Sequence, residues 1–308
     1  MRGLLFLLVF TTTIQATPPS ACIPCHPIAN SGMTQALQPG QALKGKLTTQ
    51  IGPYVYEINN STYTVRDGKE TFQTPINWVF GQGTVGQTYL YERDGRWYES
   101  RVSYFSEIKG LDITMGQQDY KPNTLEQAAG RLTTPAEAAK CFDCHATNVR
   151  KSDLSQMIAG VQCERCHGPA EAHLQTKAAM RKLGSLTTEE MSDFCGQCHR
   201  TWSYVATNGP HGIQNIRFQP YRLANSKCYD AADNRIRCTT CHDPHRAVET
   251  TPAAYDAKCL ACHATKPCRV ATKDCVTCHM PKLDLPGAHN KFTDHRIRIV
   301  RANEPYPD

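Results

Sequence analysis

Most of the cysteines fall into seven copies of one pattern, in which two cysteines are separated by two residues and a histidine follows at once. Two thiols at this spacing can add to the two vinyl groups of one porphyrin, and the adjacent imidazole can then bind its iron. We number these motifs 1 to 7 in chain order, and they predict seven covalently attached haem c groups. The cysteine pairs are Cys22/Cys25, Cys141/Cys144, Cys163/Cys166, Cys195/Cys198, Cys238/Cys241, Cys259/Cys262 and Cys275/Cys278. Their histidines are His26, His145, His167, His199, His242, His263 and His279.

Two other metal centres use closely spaced cysteines, and neither accounts for the histidine. Zinc knuckles share the spacing, but zinc does not require a histidine directly after the second cysteine. The cysteine runs that bind iron–sulfur clusters lack this histidine as well. The sequence therefore favours haem attachment over both alternatives.

Length and charge are consistent with a haem-filled interior. The chain has 308 residues, of which 40% are hydrophobic, and a formal net charge of +6. A basic excess usually indicates an anionic partner. Haem propionates would neutralise much of it, so no nucleic-acid partner is predicted.

The first residues read M-R-G-L-L-F-L-L-V-F-T-T-T-I-Q-A. One basic residue, a short apolar run and a small-residue end predict a Sec signal peptide over 1–16, cleaved after Ala16. The apolar run is far shorter than the ~20 residues that span a bilayer. The mature chain is therefore expected to be periplasmic or extracellular, with no membrane span.

Strand patterns dominate the segment after motif 1. Residues 27–140 contain neither cysteine nor histidine, and apolar and polar residues alternate from Gln41 to Ser106. Asp67-Gly68 and Asp94-Gly95 each separate two such runs, which indicates hairpins. Gly81-Gln82-Gly83-Thr84-Val85-Gly86 fits a dinucleotide fingerprint, but a strand pattern follows it instead of the required helix, so we interpret it as a turn.

Helix signals begin at Thr134. Thr134-Pro135-Ala136-Glu137 and Thr187-Thr188-Glu189-Glu190 are capping boxes that lead into motifs 2 and 4, and Thr251-Pro252 opens a helix into motif 6. A longer helix is expected from Pro169 to Lys182. The predicted fold class is α+β. Its three parts are a signal peptide (1–16), a single-haem segment with a small antiparallel β domain (17–133), and a mainly α, loop-rich hexahaem domain (134–308).

The spacing of several motifs resembles a known family. C-F-D-C-H, G-V-Q-C-E-R-C-H-G-P-A-E-A-H, R-F-Q-P-Y-R-L, C-T-T-C-H-D-P-H and C-V-T-C-H-M-P-K are similar to bacterial multihaem cytochromes related to the tetrahaem electron carrier of hydroxylamine oxidoreductase. The resemblance covers residues 141–299. It implies stacked haems, redox partner proteins, and electron transfer in a periplasmic or extracellular pathway. No C-x-x-C-K is present, which argues against the nitrite-reductase pattern.

Candidates for the sixth iron ligand are the five histidines outside the motifs: His173, His211, His245, His289 and His295. His245 follows His242 by three residues and cannot reach the far face of the same haem, so it is expected to serve a neighbour. The same argument applies to His173 after His167. His289 and His295 flank F-T-D in the tail, as in the resembling family. Met33 is the candidate for the motif 1 haem, because thioether ligation occurs in cytochromes c.

Five histidines and one methionine cannot provide a sixth ligand for each of seven irons. The motif 1 haem is therefore predicted to differ from the others in its ligation. An open site would favour an alternative function, an oxidoreductase acting on a small nitrogen or sulfur compound. Its anion-binding candidates are Arg217, Tyr221 and Arg222, for which pairing with haem propionates is the favoured interpretation.

Two cysteines lie outside the motifs, Cys228 and Cys268. Two cysteines left over in an exported chain predict a disulfide between them, with two free thiols as the alternative. The sequence identifies neither electron donor nor acceptor, and it leaves open an oligomer or a filament.

Overall fold

Strands are the main elements as far as residue 132, and short helices are the main elements after it. The computed structural model describes residues 17–26, 31–149, 154–265 and 268–308. The predicted signal peptide lies outside the described residues. Within those ranges no helix has both the length and the apolar character needed to cross a bilayer.

The first part of the chain forms two antiparallel sheets. The strands are β1 (Leu37–Pro39), β2 (Lys46–Ile51), β3 (Tyr54–Asn59), β4 (Thr62–Arg66), β5 (Thr71–Pro75), β6 (Trp78–Phe80), β7 (Gly86–Arg93), β8 (Arg96–Ser100), β9 (Val102–Phe105), β10 (Gly110–Ile113) and, after helix α1 (Leu125–Ala129), β11 (Gly130–Leu132). One sheet has the order β2-β3-β4-β5. The other has the order β1-β6-β7-β8-β11, with β9 pairing both β7 and β10.

Local turn chemistry produces the hairpins that the sequence predicts. Asp94 and Gly95 both have positive φ angles, 51° and 69°, and they connect β7 directly to β8. Asp67 accepts hydrogen bonds from the backbone N–H groups of Lys69 and Glu70, which closes the turn between β4 and β5. Gly81 to Gly86 enters β7 without a helix, so the dinucleotide interpretation is excluded by the structure as well.

An aromatic cluster joins the domain to motif 2. Phe142 lies within the motif, is fully buried, and has its ring centroid 6.0 Å from that of Trp78, 5.5 Å from Phe80 and 5.8 Å from Trp97. Those three aromatic residues belong to β6 and β8. The attachment site therefore rests directly on the sheet.

Short helices carry the remaining motifs. They are α2 (Pro135–His145), α3 (Cys163–His167), α4 (Glu171–Thr176), α5 (Thr188–His199), α6 (Trp202–Asn208), α7 (Gln219–Ala224), α8 (Cys238–Cys241), α9 (Asp256–His263) and α10 (Cys275–His279). Two-stranded sheets are formed by β12 (Ala146–Thr147) with β13 (Ile158–Ala159), and by β14 (Lys282–Asp284) with β15 (Lys291–Thr293). Both predicted capping boxes are confirmed, at Thr134 in α2 and at Thr187 in α5. In α2, α3, α5, α9 and α10 the motif histidine is the last helical residue.

The helix predicted from Pro169 to Lys182 is much shorter. Only α4 forms, because Lys177 adopts a left-handed conformation with φ of 59° and ends it. The chain then turns back, and the Arg181 carbonyl reaches His167. The prediction was wrong because it ignored this return contact.

Candidate haem-binding site

Three motif histidines each face a histidine from outside the motifs. The ring centroids of His26 and His173 lie 6.2 Å apart. Those of His167 and His245 lie 6.0 Å apart, and those of His242 and His295 lie 6.2 Å apart. These spacings lie within the range of ordinary contacts between aromatic rings.

The spacing also matches that of two imidazoles bound to one iron. A metal–imidazole bond is about 2.0 Å and the nitrogen lies about 1.1 Å from the ring centroid, so imidazoles on opposite sides of one metal are about 6.2 Å apart. All three pairs match this distance. The arrangement therefore fits a haem iron held between two histidines.

Hydrogen bonds at Nδ1 leave Nε2 available in these rings. Backbone carbonyls lie 3.0 Å from Nδ1 of His167 (Arg181), 2.7 Å from Nδ1 of His173 (Ala178) and 3.0 Å from Nδ1 of His295 (Thr293). A carbonyl only accepts, so Nδ1 donates and the proton is absent from Nε2. Such outer partners fix the orientation and tautomer of a metal-binding histidine.

The histidines of motifs 2 and 7 have the same kind of hydrogen bond between Nδ1 and a backbone carbonyl. His145 Nδ1 lies 2.9 Å from the Ala36 carbonyl, and His279 Nδ1 lies 2.8 Å from the Arg298 carbonyl. Burial lowers the pKa of His145, although the hydrogen bond to Ala36 acts in the opposite direction. Burial also lowers the pKa of His295 to about 4. Burial therefore favours the neutral form of both imidazoles, which is the form that binds a metal.

Apolar side chains in or beside the motifs are left uncovered by protein. Ile23 in motif 1 is 56% exposed and Leu174, beside His173, is 40% exposed. Leu260 within motif 6 is 38% exposed. A porphyrin attached at these motifs would cover such surfaces, so the residues present fit haem c.

Four of the predicted attachment cysteines are exposed, and each is the second cysteine of its motif. They are Cys25, Cys241, Cys262 and Cys278. The sequence predicts a haem-filled interior, but the protein encloses neither the Cys25 thiol of motif 1 nor the Cys278 thiol of motif 7. A thioether requires only that the sulfur reach a vinyl group, so a porphyrin attached there would itself supply the cover. Attachment at these four cysteines, as at the other ten, therefore stays a prediction.

The attachment sites contact one another. Cysteine side chains from different motifs lie close enough to shift each other's pKa in the pairs Cys22–Cys163, Cys144–Cys198, Cys195–Cys238 and Cys259–Cys275. Electrostatic interactions also link Cys166 with Cys198 and Cys241 with Cys259. The motifs therefore adjoin in the order 1-3-4-5-6-7, with motif 2 beside motif 4.

Similarity to known proteins agrees with this geometry. A family described as cytochrome c554 and c-prime matches residues 99–168, which begin in β8 and include motifs 2 and 3. The chain is also 25% identical, over 198 residues, to "Multiheme cytochrome MtrA" of Shewanella baltica. The chain is thus similar to multihaem c-type cytochromes.

The similarity covers only part of each protein. The alignment with the Shewanella protein covers 56% of this chain, which spans about half the length (52%) of that relative. A solved structure, "Crystal Structure of Outer Cell Wall Cytochrome OcwA", is remotely similar, with 16% identity and a TM-score of 0.38, covering 60% of this chain and 37% of the other.

Two predicted iron ligands contact carboxylates instead of facing a motif histidine. His289 Nε2 lies 2.7 Å from Asp112 Oδ2, so the nitrogen that would bind iron is already paired. His211 is 73% exposed, and its Nδ1 lies 3.2 Å from Asp308 Oδ2. His245 also has a carboxylate partner, since its Nδ1 lies 3.3 Å from Asp243 Oδ1, but its ring still faces His167.

Met33 lies in a short helical turn near motif 2. Its carbonyl accepts a hydrogen bond from the Val161 N–H, and Ala36 at the end of the same turn contacts His145. His173, and not Met33, stands opposite His26. Sequence reasoning missed this pairing because it assigned His173 to a neighbouring haem without identifying which one.

The two remaining cysteines are free thiols in the structure. Cys228 is half-buried and interacts electrostatically with Cys259 and Cys262 of motif 6, whereas Cys268 is exposed and accepts a hydrogen bond from the Val270 N–H. The predicted disulfide is therefore not confirmed. The two thiols occupy different environments.

Proposed function

We propose that this cytochrome is an exported electron carrier that holds seven haems c and serves a periplasmic or extracellular respiratory pathway. When bound, haem c supplies one-electron redox chemistry. The relation to the tetrahaem carrier of hydroxylamine oxidoreductase and the exchange of electrons with partner proteins are part of this proposal. So is the division into a single-haem β domain and a hexahaem domain.

The observation that carries the proposal is the set of three facing histidine pairs. An iron held between two imidazoles has no free position for a substrate, which suits a carrier better than an enzyme. Fixed imidazoles also favour fast electron exchange, because ligand geometry is the same before and after the transfer. The residues around the pairs supply this rigidity through their Nδ1 hydrogen bonds.

Contact between successive motifs supports the same function. Cysteines of neighbouring motifs lie close enough to shift each other's pKa, so the groups attached to them would be held close together. Close spacing is what transfer along a row of cofactors needs. The protein's contribution is to fix that spacing.

Absorption spectroscopy separates a carrier from an enzyme. We expect the ferric protein to show the low-spin bands of the three haems held by histidine pairs, and no turnover of nitrite or hydroxylamine when supplied with an electron donor. A substantial high-spin band together with turnover of either compound would instead establish the oxidoreductase alternative.

A further inference from the structure

One buried carboxylate fastens the C-terminal tail, the segment 292–308, to α7. Asp294 and Arg222 both have fully buried side chains. Arg222 donates from Nε to Asp294 Oδ1 and from Nη2 to Oδ2, each over 2.9 Å. Arg298 Nη1 donates to Oδ2 over 2.6 Å, and the Arg296 N–H donates to Oδ1 over 2.9 Å. The carboxylate thus accepts four hydrogen bonds.

Arg222 is unavailable to an external anion. Its Nη1 donates to the Pro307 carbonyl over 2.7 Å and to Asn215 Oδ1 over 3.3 Å. The Tyr306 ring covers the guanidinium, with its centroid 4.5 Å away. The anion-binding role considered for Arg222 is therefore excluded, and its charge serves the internal pair.

The same carboxylate adjoins two motif histidines through the tail. His295 follows Asp294 directly and faces His242, and its carbonyl accepts a hydrogen bond from Ser226 Oγ at 3.0 Å. The Arg298 carbonyl contacts His279 Nδ1 of motif 7. A change at Asp294 would thus act first on the backbone that carries the His295 ring.

We propose that Asp294 is a positioning residue whose carboxylate, held by Arg222 and Arg298, fixes the His295 ring opposite His242. A buried ion pair is weak support for stability compared with apolar packing, so a directional role better explains its presence. Two parallel bonds from a planar guanidinium also define one orientation of the carboxylate. This inference rests on the proposed ligation by His295.

The test compares Asp294→Asn with His295→Ala in the full-length haem-loaded protein. His295→Ala identifies, by low-temperature spin resonance, the low-spin signal that depends on this histidine. We expect Asp294→Asn to shift that same signal and the reduction potential of that haem, and to leave the other signals unchanged. Glu304→Gln is the matched control, because Glu304 contacts Arg298 Nε over 2.7 Å but not Asp294.

Arg222→Lys provides a second route if Asp294→Asn yields no haem-loaded protein. Lysine keeps the positive charge opposite Asp294 but cannot form the two parallel hydrogen bonds of the guanidinium, so the same signal should shift. If neither folded variant moves the signal that His295→Ala removes, the positioning role is overturned while ligation stands. If His295→Ala alters no signal, the ligation itself is contradicted.

Discussion

Replacing His173 by alanine is expected to change the spin state of the haem at motif 1 and of no other. His173 faces His26 with a centroid distance of 6.2 Å, and its Nδ1 is fixed by the Ala178 carbonyl. Removing the ring leaves the iron without its second imidazole, so one low-spin signal should be lost and a high-spin signal should appear. Low-temperature spin resonance of the purified protein measures both.

Two variants serve as controls for this result. His211→Ala should leave every haem signal unchanged, because His211 is exposed and contacts Asp308 instead of a motif histidine. Met33→Ala tests the ligand that the sequence predicted for motif 1, and the structure now predicts no change in that haem. A loss of the motif 1 signal in Met33→Ala, with His173→Ala silent, would overturn the pairing.

Phe142→Ala is expected to destabilise the folded protein by about 3–5 kcal/mol. Phe142 is fully buried among Trp78, Phe80 and Trp97, so truncation leaves a cavity between α2 and the sheet. Chemical denaturation of the haem-loaded protein, followed by tryptophan fluorescence, measures the loss.

Phe194→Ala is the matched comparison. Phe194 immediately precedes motif 4 and lies under Arg181, 4.7 Å from its ring centroid, but it is only partly buried. Its truncation should cost much less than that of Phe142. Equal losses would show that the aromatic cluster on the sheet has no special role in holding motif 2.

Features set by short-range chemistry could be predicted from the sequence. The hairpin at Asp94-Gly95 follows from two residues that tolerate positive φ, and the capped starts of α2 and α5 follow from a side chain and an N–H three residues apart. The α+β class and the haem-attachment motifs are likewise predicted from short stretches of sequence.

Features that depend on distant contacts could not be predicted. Nothing near His26 in sequence indicates that His173 will stand opposite it. The F-T-D pattern between His289 and His295 does not distinguish the two histidines. In the structure, however, His289 pairs with Asp112 on β10 while His295 faces His242. The prediction of a long helix after motif 3 was wrong for the same reason, since the contact between Arg181 and His167 depends on where motif 3 lies.

Counting electrons tests the central claim most directly. An anaerobic reductive titration of the mature protein, followed through its haem absorption bands, gives the number of electrons that one chain accepts. The account predicts seven electrons per chain, all of them in c-type haem bands and without added substrate. An end point of six or fewer in fully matured protein, or reduction that requires a substrate, would contradict it.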